Sequence, residues 1–128
     1  MRDGDAPETT PRMSRSVLLE HTTPDGGRHL DWLIERPGVD DEYRLIALRC
    51  AHDPAAHAPM DAQRITDHRA RYLEYEGPIS GARGSVRRIW TKPCVLRSES
   101  SDRFEVVLDG VVLIAASVAG GRWRIIPG

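Results

Sequence analysis

No segment of this chain sustains the three-and-four spacing of an amphipathic helix. Short β-prone runs alternate instead with clusters of Gly, Pro and Asp, and that punctuation limits the fold more than any other feature. Residues 16–21 (SVLLEH) read as a strand, residues 22–28 (TTPDGGR) as a turn-rich loop and residues 29–35 (HLDWLIE) as the returning strand. Further strands are expected over residues 43–50, 85–90, 94–98, 104–108, 111–118 and 122–126. Residues 66–75 (TDHRARYLEY) mix turn, short helix and strand character, and residues 52–59 (HDPAAHAP) read as loop because of Pro54 and Pro59. Asp109-Gly110 favours the two-residue hairpin turn that needs positive φ. Residues 1–15 are polar, with Gly4, Pro7 and Pro11 and no apolar periodicity, and are expected to form a disordered lead-in. The reading is all-β: a small closed antiparallel β-barrel of about eight strands with little helix, closure being the simplest way to remove exposed edges.

Bulk properties narrow the class. A chain of 128 residues supports one domain and buries roughly two-thirds of its unfolded surface without staples. Lys and Arg number 18 against 19 Asp and Glu, for a net charge of −1. That balance excludes a chain that coats nucleic acid through a general basic surface. The apolar runs fall short of the ~20 residues of a membrane span, the N-terminus lacks a signal-peptide core, and a cytoplasmic protein is expected. Cys50 and Cys94 are too few for a disulfide framework and read as small buried hydrophobes.

The chemistry-bearing residues lie around the first expected hairpin. Strand alternation points His29 and Asp31 the same way, about 7 Å apart, and sends Leu30, Trp32 and Ile34 to the opposite face as core. If the two strands pair, His21 at the end of one faces His29 at the start of the other, with Cβ atoms about 5 Å apart. Two imidazoles and a carboxylate then converge, leaving positions open for water and a phosphate oxygen, as in a catalytic metal site. Mixed nitrogen and oxygen donors suit Mn²⁺, Zn²⁺ or Fe²⁺. The spacing alone is not a specific signature and fits turn-flanking histidines and a solvated aspartate more readily.

A second group is His68 and Tyr72, which a helical turn would place on one face. With Arg64, Arg69 and Arg71 alongside, it makes a phosphate clamp, or else a core tyrosine with a turn-capping histidine. His52 and His57 flank proline-rich loop and read as solvated. The segment from Arg64 to Arg97 carries eight basic residues against three acids, +5, while the rest of the chain carries −6. A local anion site fits that distribution.

These residues resemble the 3′-phosphoesterase module of bacterial DNA ligase D, which also occurs as small free-standing proteins. The resemblance runs from about Arg15 to Ile126. It rests on Glu20-His21 followed by His29, Asp31 and Glu35, and on Asp67-His68, Tyr72, Tyr75 and Glu76-Gly77. Pro78 through Trp90, Val106 through Gly110 and Gly121 through Ile125 complete it.

The resemblance implies that residues 16–128 form one phosphoesterase-like β-barrel domain. It implies Mn²⁺ held by His21, His29 and Asp31, and His68 and Tyr72 as catalytic residues at the scissile phosphate. The implied activity removes a 3′-ribonucleotide and then the 3′-phosphate from DNA or RNA/DNA ends in repair, with a ligase or polymerase acting in trans. The chain departs from that pattern where the modules carry a phosphate-binding Arg two residues after the Asp, a position held here by Leu33. Arg64, Arg83 and Arg87 are candidate substitutes. A loss of that guanidinium without replacement would leave a catalytically weak barrel that binds phosphorylated ends or a repair partner.

Overall fold

A computed structural model describes residues 12–128. Nine strands follow in order: β1 (Arg12–Thr22), β2 (Arg28–Glu35), β3 (Leu45–Cys50), β4 (Met60–His68), β5 (Gly77–Pro78), β6 (Ser85–Glu99), β7 (Arg103–Leu108), β8 (Val111–Ser117) and β9 (Trp123–Pro127). Among the described residues, helix is limited to α1 (Pro54–His57) and the 3-10 turns Ala70–Leu73 and Ala119–Gly121. Every pairing is antiparallel. The ladder runs β1-β2-β3-β4-β9-β8-β7-β6 and returns from β6 to β1, so eight strands form a hydrogen-bonded ring. The two-residue β5 lies outside that ring, paired to one end of β6. The all-β expectation with little helix therefore holds. No described helix is long and apolar enough to cross a membrane.

The ring encloses one core. Leu18, Trp32, Ile34, Ile46, Leu48, Phe104, Val106, Leu113 and Ile125 fill it, as the alternation in residues 29–35 requires of Trp32 and Ile34. The indole N–H of Trp32 donates to Ser16 Oγ at 2.6 Å, and that hydroxyl donates to the carbonyl of Leu33 at 3.1 Å, so both of these buried side chains are satisfied. Cys50 and Cys94 are free and buried, and burial pushes both thiols up to about 12.

A second cluster covers the outer face of β1–β3. Val17, Leu19, Leu33, Leu45 and Ala47 pack there against Leu73 and Val86, with Tyr72, Tyr75 and Ile79 around them. The chain between β4 and β6 folds back over this face and buries it. Three strands buried on both sides give the site that follows a rigid floor.

Several expected boundaries move. Residues 12–15 belong to β1 and are not lead-in: Arg12 through Arg15 pair with Leu96 through Pro93 of β6, and Ser14 Oγ donates to the carbonyl of Glu35. Met13 stays 66% exposed, so pairing rather than an apolar pattern holds this stretch. Residues 1–11 of the expected lead-in lie outside the described residues. The two strands expected over residues 85–90 and 94–98 are one strand, β6, because β1 pairs along its length. Pro93 is tolerated in it because the β6–β7 ladder begins only at Cys94. The expected strand 43–50 starts at Leu45, leaving Tyr43 in a turn, and the loop 52–59 contains α1, capped by Asp53 Oδ1 accepting from Ala55 N–H at 2.9 Å. Asp109 and Gly110 have φ of 53° and 75°, the positive values their hairpin turn demands.

Candidate metal centre

The β1–β2 hairpin pairs His21 with His29 directly, and the imidazole centroids stand 4.7 Å apart, edge to face. Its loop is fixed by local bonds: Thr23 N–H donates to the Gly27 carbonyl at 2.8 Å, and Gly27 N–H donates to Asp25 Oδ1 at 3.0 Å. Asp31, two residues beyond His29, projects on the same outer face and is only 4% exposed. One donor atom from each of His21, His29 and Asp31 lies within 4.8 Å of the others. Sequence alternation and structure agree on this grouping.

The donor chemistry fits a divalent cation. His29 Nδ1 is buried, has no hydrogen-bond partner among the described residues, and stands 3.4 Å from Asp31 Oδ1. A buried nitrogen left unpaired is costly unless its lone pair has another use, and metal ligation is such a use. Burial lowers the His29 pKa from its ordinary value; Arg49 and His21 add to the effect, while Asp31 opposes it. The ring is thereby kept in the neutral form that ligates. His21 Nε2 donates to the carbonyl of Arg83 at 2.9 Å, since a carbonyl can only accept, and the bond leaves Nδ1 as the free lone pair.

Arg49 belongs to this group, and sequence reasoning missed it. Residue 49 pairs with Asp31 across β2–β3, and its Nε donates to Asp31 Oδ1 at 3.4 Å. The signal lay in the register of the second hairpin: alternation along residues 45–50 puts Arg49 on the face of Leu45 and Ala47, but the partner strand's offset is not written in the spacing.

A cavity of about 290 Å³ opens beside the centre. His21, Asp31, His68, Tyr72 and Arg83 are among the residues that line it, together with Tyr43 and Arg69. His68 and Tyr72 meet edge to face at 5.9 Å, though not within one helical turn as expected: His68 ends β4 and Tyr72 sits in the 3-10 turn that follows. His68 Nδ1 donates to the Thr66 carbonyl at 2.7 Å, which leaves Nε2 for the cavity.

A bulge decides which face His68 occupies. Between the pairs Leu45↔His68 and Ala47↔Ile65, β4 carries one more residue than β3. Uninterrupted alternation would put Arg64 and His68 on one face; the extra residue turns His68 outward while Arg64 stays inward. Arg64 accordingly does not line the cavity. Its guanidinium lies 5.2 Å from the Trp123 ring centre and 6.0 Å from that of Phe104, with Asp67 at 3.6 Å and Glu99 at 3.8 Å. The expected clamp loses Arg64 for this reason.

The remaining guanidinium candidates divide. Arg83 lines the cavity, with Nε donating to the Ser80 carbonyl at 2.7 Å. Arg87 points elsewhere and pairs with Glu20 at 3.1 Å. Leu33 shares Asp31's face but is fully buried in the outer cluster, so position 33 has no access to the cavity. The basic segment as a whole is not an open anion field. Arg64, Arg69, Arg87, Arg88, Lys92 and Arg97 each lie within ion-pair distance of a carboxylate. His52 and His57 stand 5.7 Å from each other, outside the metal group.

No protein-family model matches this chain, and no curated protein matches it.

Proposed function

We propose that the chain is a divalent-metal-dependent phosphoesterase that trims 3′-ribonucleotide and 3′-phosphate ends of DNA or RNA/DNA hybrids. One observation carries the reading: His21, His29 and Asp31 gather their donor atoms within 4.8 Å, beside the cavity that also receives His68 and Tyr72. His21, His29 and Asp31 would hold the metal, with Mn²⁺ the first candidate from the resemblance and Zn²⁺ or Fe²⁺ compatible with the same donors. A divalent ion there would supply neutralisation of phosphate oxygens and would lower the pKa of water.

The chain's own residues do the rest. His68, anchored through Nδ1 to Thr66, presents Nε2 to the phosphate and, when protonated, donates to the leaving oxygen. Tyr72 donates its hydroxyl to a non-bridging oxygen where charge builds. It is steadied by the Tyr75 ring 6.0 Å away and by the Arg71 guanidinium 5.7 Å from its ring centre. Arg49 and Arg83 flank the centre and take the part of the guanidinium absent at Leu33. On this reading the protein would work in the cytoplasm, with a ligase or polymerase as a partner in trans.

The test is a primer bearing a 3′-ribonucleotide or 3′-phosphate, incubated with Mn²⁺ and separately with chelator. Conversion to a 3′-hydroxyl end that needs metal and is lost in His21→Ala and His68→Ala is the expected result. Absence of product with every divalent ion, or full activity in His21→Ala, overturns the reading. A second reading is an end-binding module with little turnover, favoured by the buried leucine at position 33 and by the tether of Arg83 to Ser80. It predicts metal-dependent affinity for 3′-phosphorylated ends without product.

A further inference from the structure

Two residues that line the cavity, Tyr43 and Arg69, have no part in the phosphate chemistry proposed above. Tyr43 stands two residues before β3, in a turn, 44% exposed, and lines the same cavity as His68. Backbone and side-chain bonds hold it there. Tyr43 N–H donates to Asp41 Oδ1 at 2.9 Å, and Ala70 N–H donates to the Glu42 carbonyl at 2.7 Å, which ties this turn to the chain just after His68. Arg69 Nε donates to the Tyr43 hydroxyl at 2.9 Å and lies 3.2 Å from Glu42 Oε2, with its guanidinium carbon 5.3 Å from the ring centre. An exposed aromatic ring held this firmly, next to a cation and next to a candidate phosphate site, has the makings of a platform for a flat heterocycle.

Cavity size limits what such a platform can accept. About 290 Å³ is at the lower end of small-ligand pockets, enough for one phosphate and part of one nucleoside rather than an enclosed oligonucleotide. We infer that Tyr43, supported by Arg69, forms a nucleobase subsite that stacks the base of the nucleotide bearing the phosphate held near His68 and Tyr72. The inference rests on the phosphoesterase reading for the position of the phosphate and adds a contact that reading does not use: a ring that holds the base of the terminal nucleotide. Stacking on a ring face is indifferent to base identity, so the subsite reads the presence of a base and not its sequence.

The experiment is direct binding to the Mn²⁺-loaded protein of two ligands, inorganic phosphate and a nucleoside 3′-monophosphate, for the wild type, Tyr43→Ala and Tyr43→Phe. The wild type is expected to bind the nucleotide about tenfold more tightly than phosphate, the scale of one base–aromatic stack. Tyr43→Ala should abolish that difference while phosphate affinity stays unchanged, and Tyr43→Phe, which keeps the ring, should retain most of it. Equal affinity for the two ligands in the wild type, or an equal loss of both in Tyr43→Ala, overturns the subsite. The binding difference without any turnover would leave the subsite standing while hydrolysis fails. Turnover without the difference would do the reverse. Failure to bind either ligand overturns both.

Discussion

His21 Nε2 donates to the backbone carbonyl of Arg83 at 2.9 Å, a bond that joins β1 to the turn entering β6 across 62 residues. It fixes the tautomer and the tilt of the His21 ring, a candidate metal donor, from outside the candidate donor group. The turn can approach so closely because Gly84, at φ 91°, has no Cβ: one placed there would stand 1.9 Å from the Thr22 carbonyl oxygen.

Gly84→Ala should therefore act on the centre without touching a donor. The clash with Thr22 backbone must move the turn and withdraw the Arg83 carbonyl from His21. Calorimetric titration with Mn²⁺ should show affinity weakened by about tenfold or more, the usual effect of losing an orienting bond of this kind. Unchanged affinity would mean that His21 is oriented by something else.

Arg49 presents an opposite pair of effects. Its guanidinium donates to Asp31 at 3.4 Å and would repel a cation held there, and on the phosphoesterase reading its remaining N–H groups would bind phosphate. Arg49→Met should leave Mn²⁺ affinity equal or slightly stronger, and should weaken inhibition by inorganic phosphate about tenfold. A parallel loss of both would reduce Arg49 to a structural support for Asp31.

The buried relay through Ser16 sets a stability test. Ser16→Ala strips the indole N–H of Trp32 of its acceptor inside a dry core. An unsatisfied buried donor costs about 1–3 kcal/mol, which urea denaturation should register as a lower midpoint with the same slope.

Acid stability should depend on Glu35. Burial raises its pKa, but hydrogen bonds from Arg15 at 3.2 Å and Arg44 at 2.9 Å prevail and leave it below the ordinary value. The unfolded chain then binds the extra proton first, so this contribution is full above about pH 4.5 and is lost as pH falls through the folded value. Glu35→Gln should lower stability at neutral pH by about 1–2 kcal/mol and flatten the fall of stability in the acid limb of a pH series. An unchanged acid limb would place the proton uptake elsewhere.

The metal group was legible because its signal is local. In residues 29–35 the alternation of His, Asp and Leu against Leu, Trp and Ile assigns both faces, and a short loop returns His29 to His21. Asp109-Gly110 was equally plain, since only a few residue types accept its backbone angles. Arg64 and His68 were not legible: they share a parity in the sequence, and the bulge opposite β3 separates them. Arg49 and Tyr43 escaped for the related reason that a cross-strand partner and a strand end depend on where the other strand stops.

The amino-acid order by itself determined the strand-rich class, the first hairpin and the convergence of His21, His29 and Asp31. Those follow from the two-residue period of an extended chain and from turn chemistry, which act over a handful of residues. Tertiary structure decided the closure of the ring through β1 and β6, the burial of Leu33, the outward turn of His68 and the carbonyl that orients His21. Each of these depends on pairing between segments far apart in the chain. Such pairing is set by the joint burial of two faces and the satisfaction of backbone hydrogen bonds in three dimensions, and no local spacing encodes it.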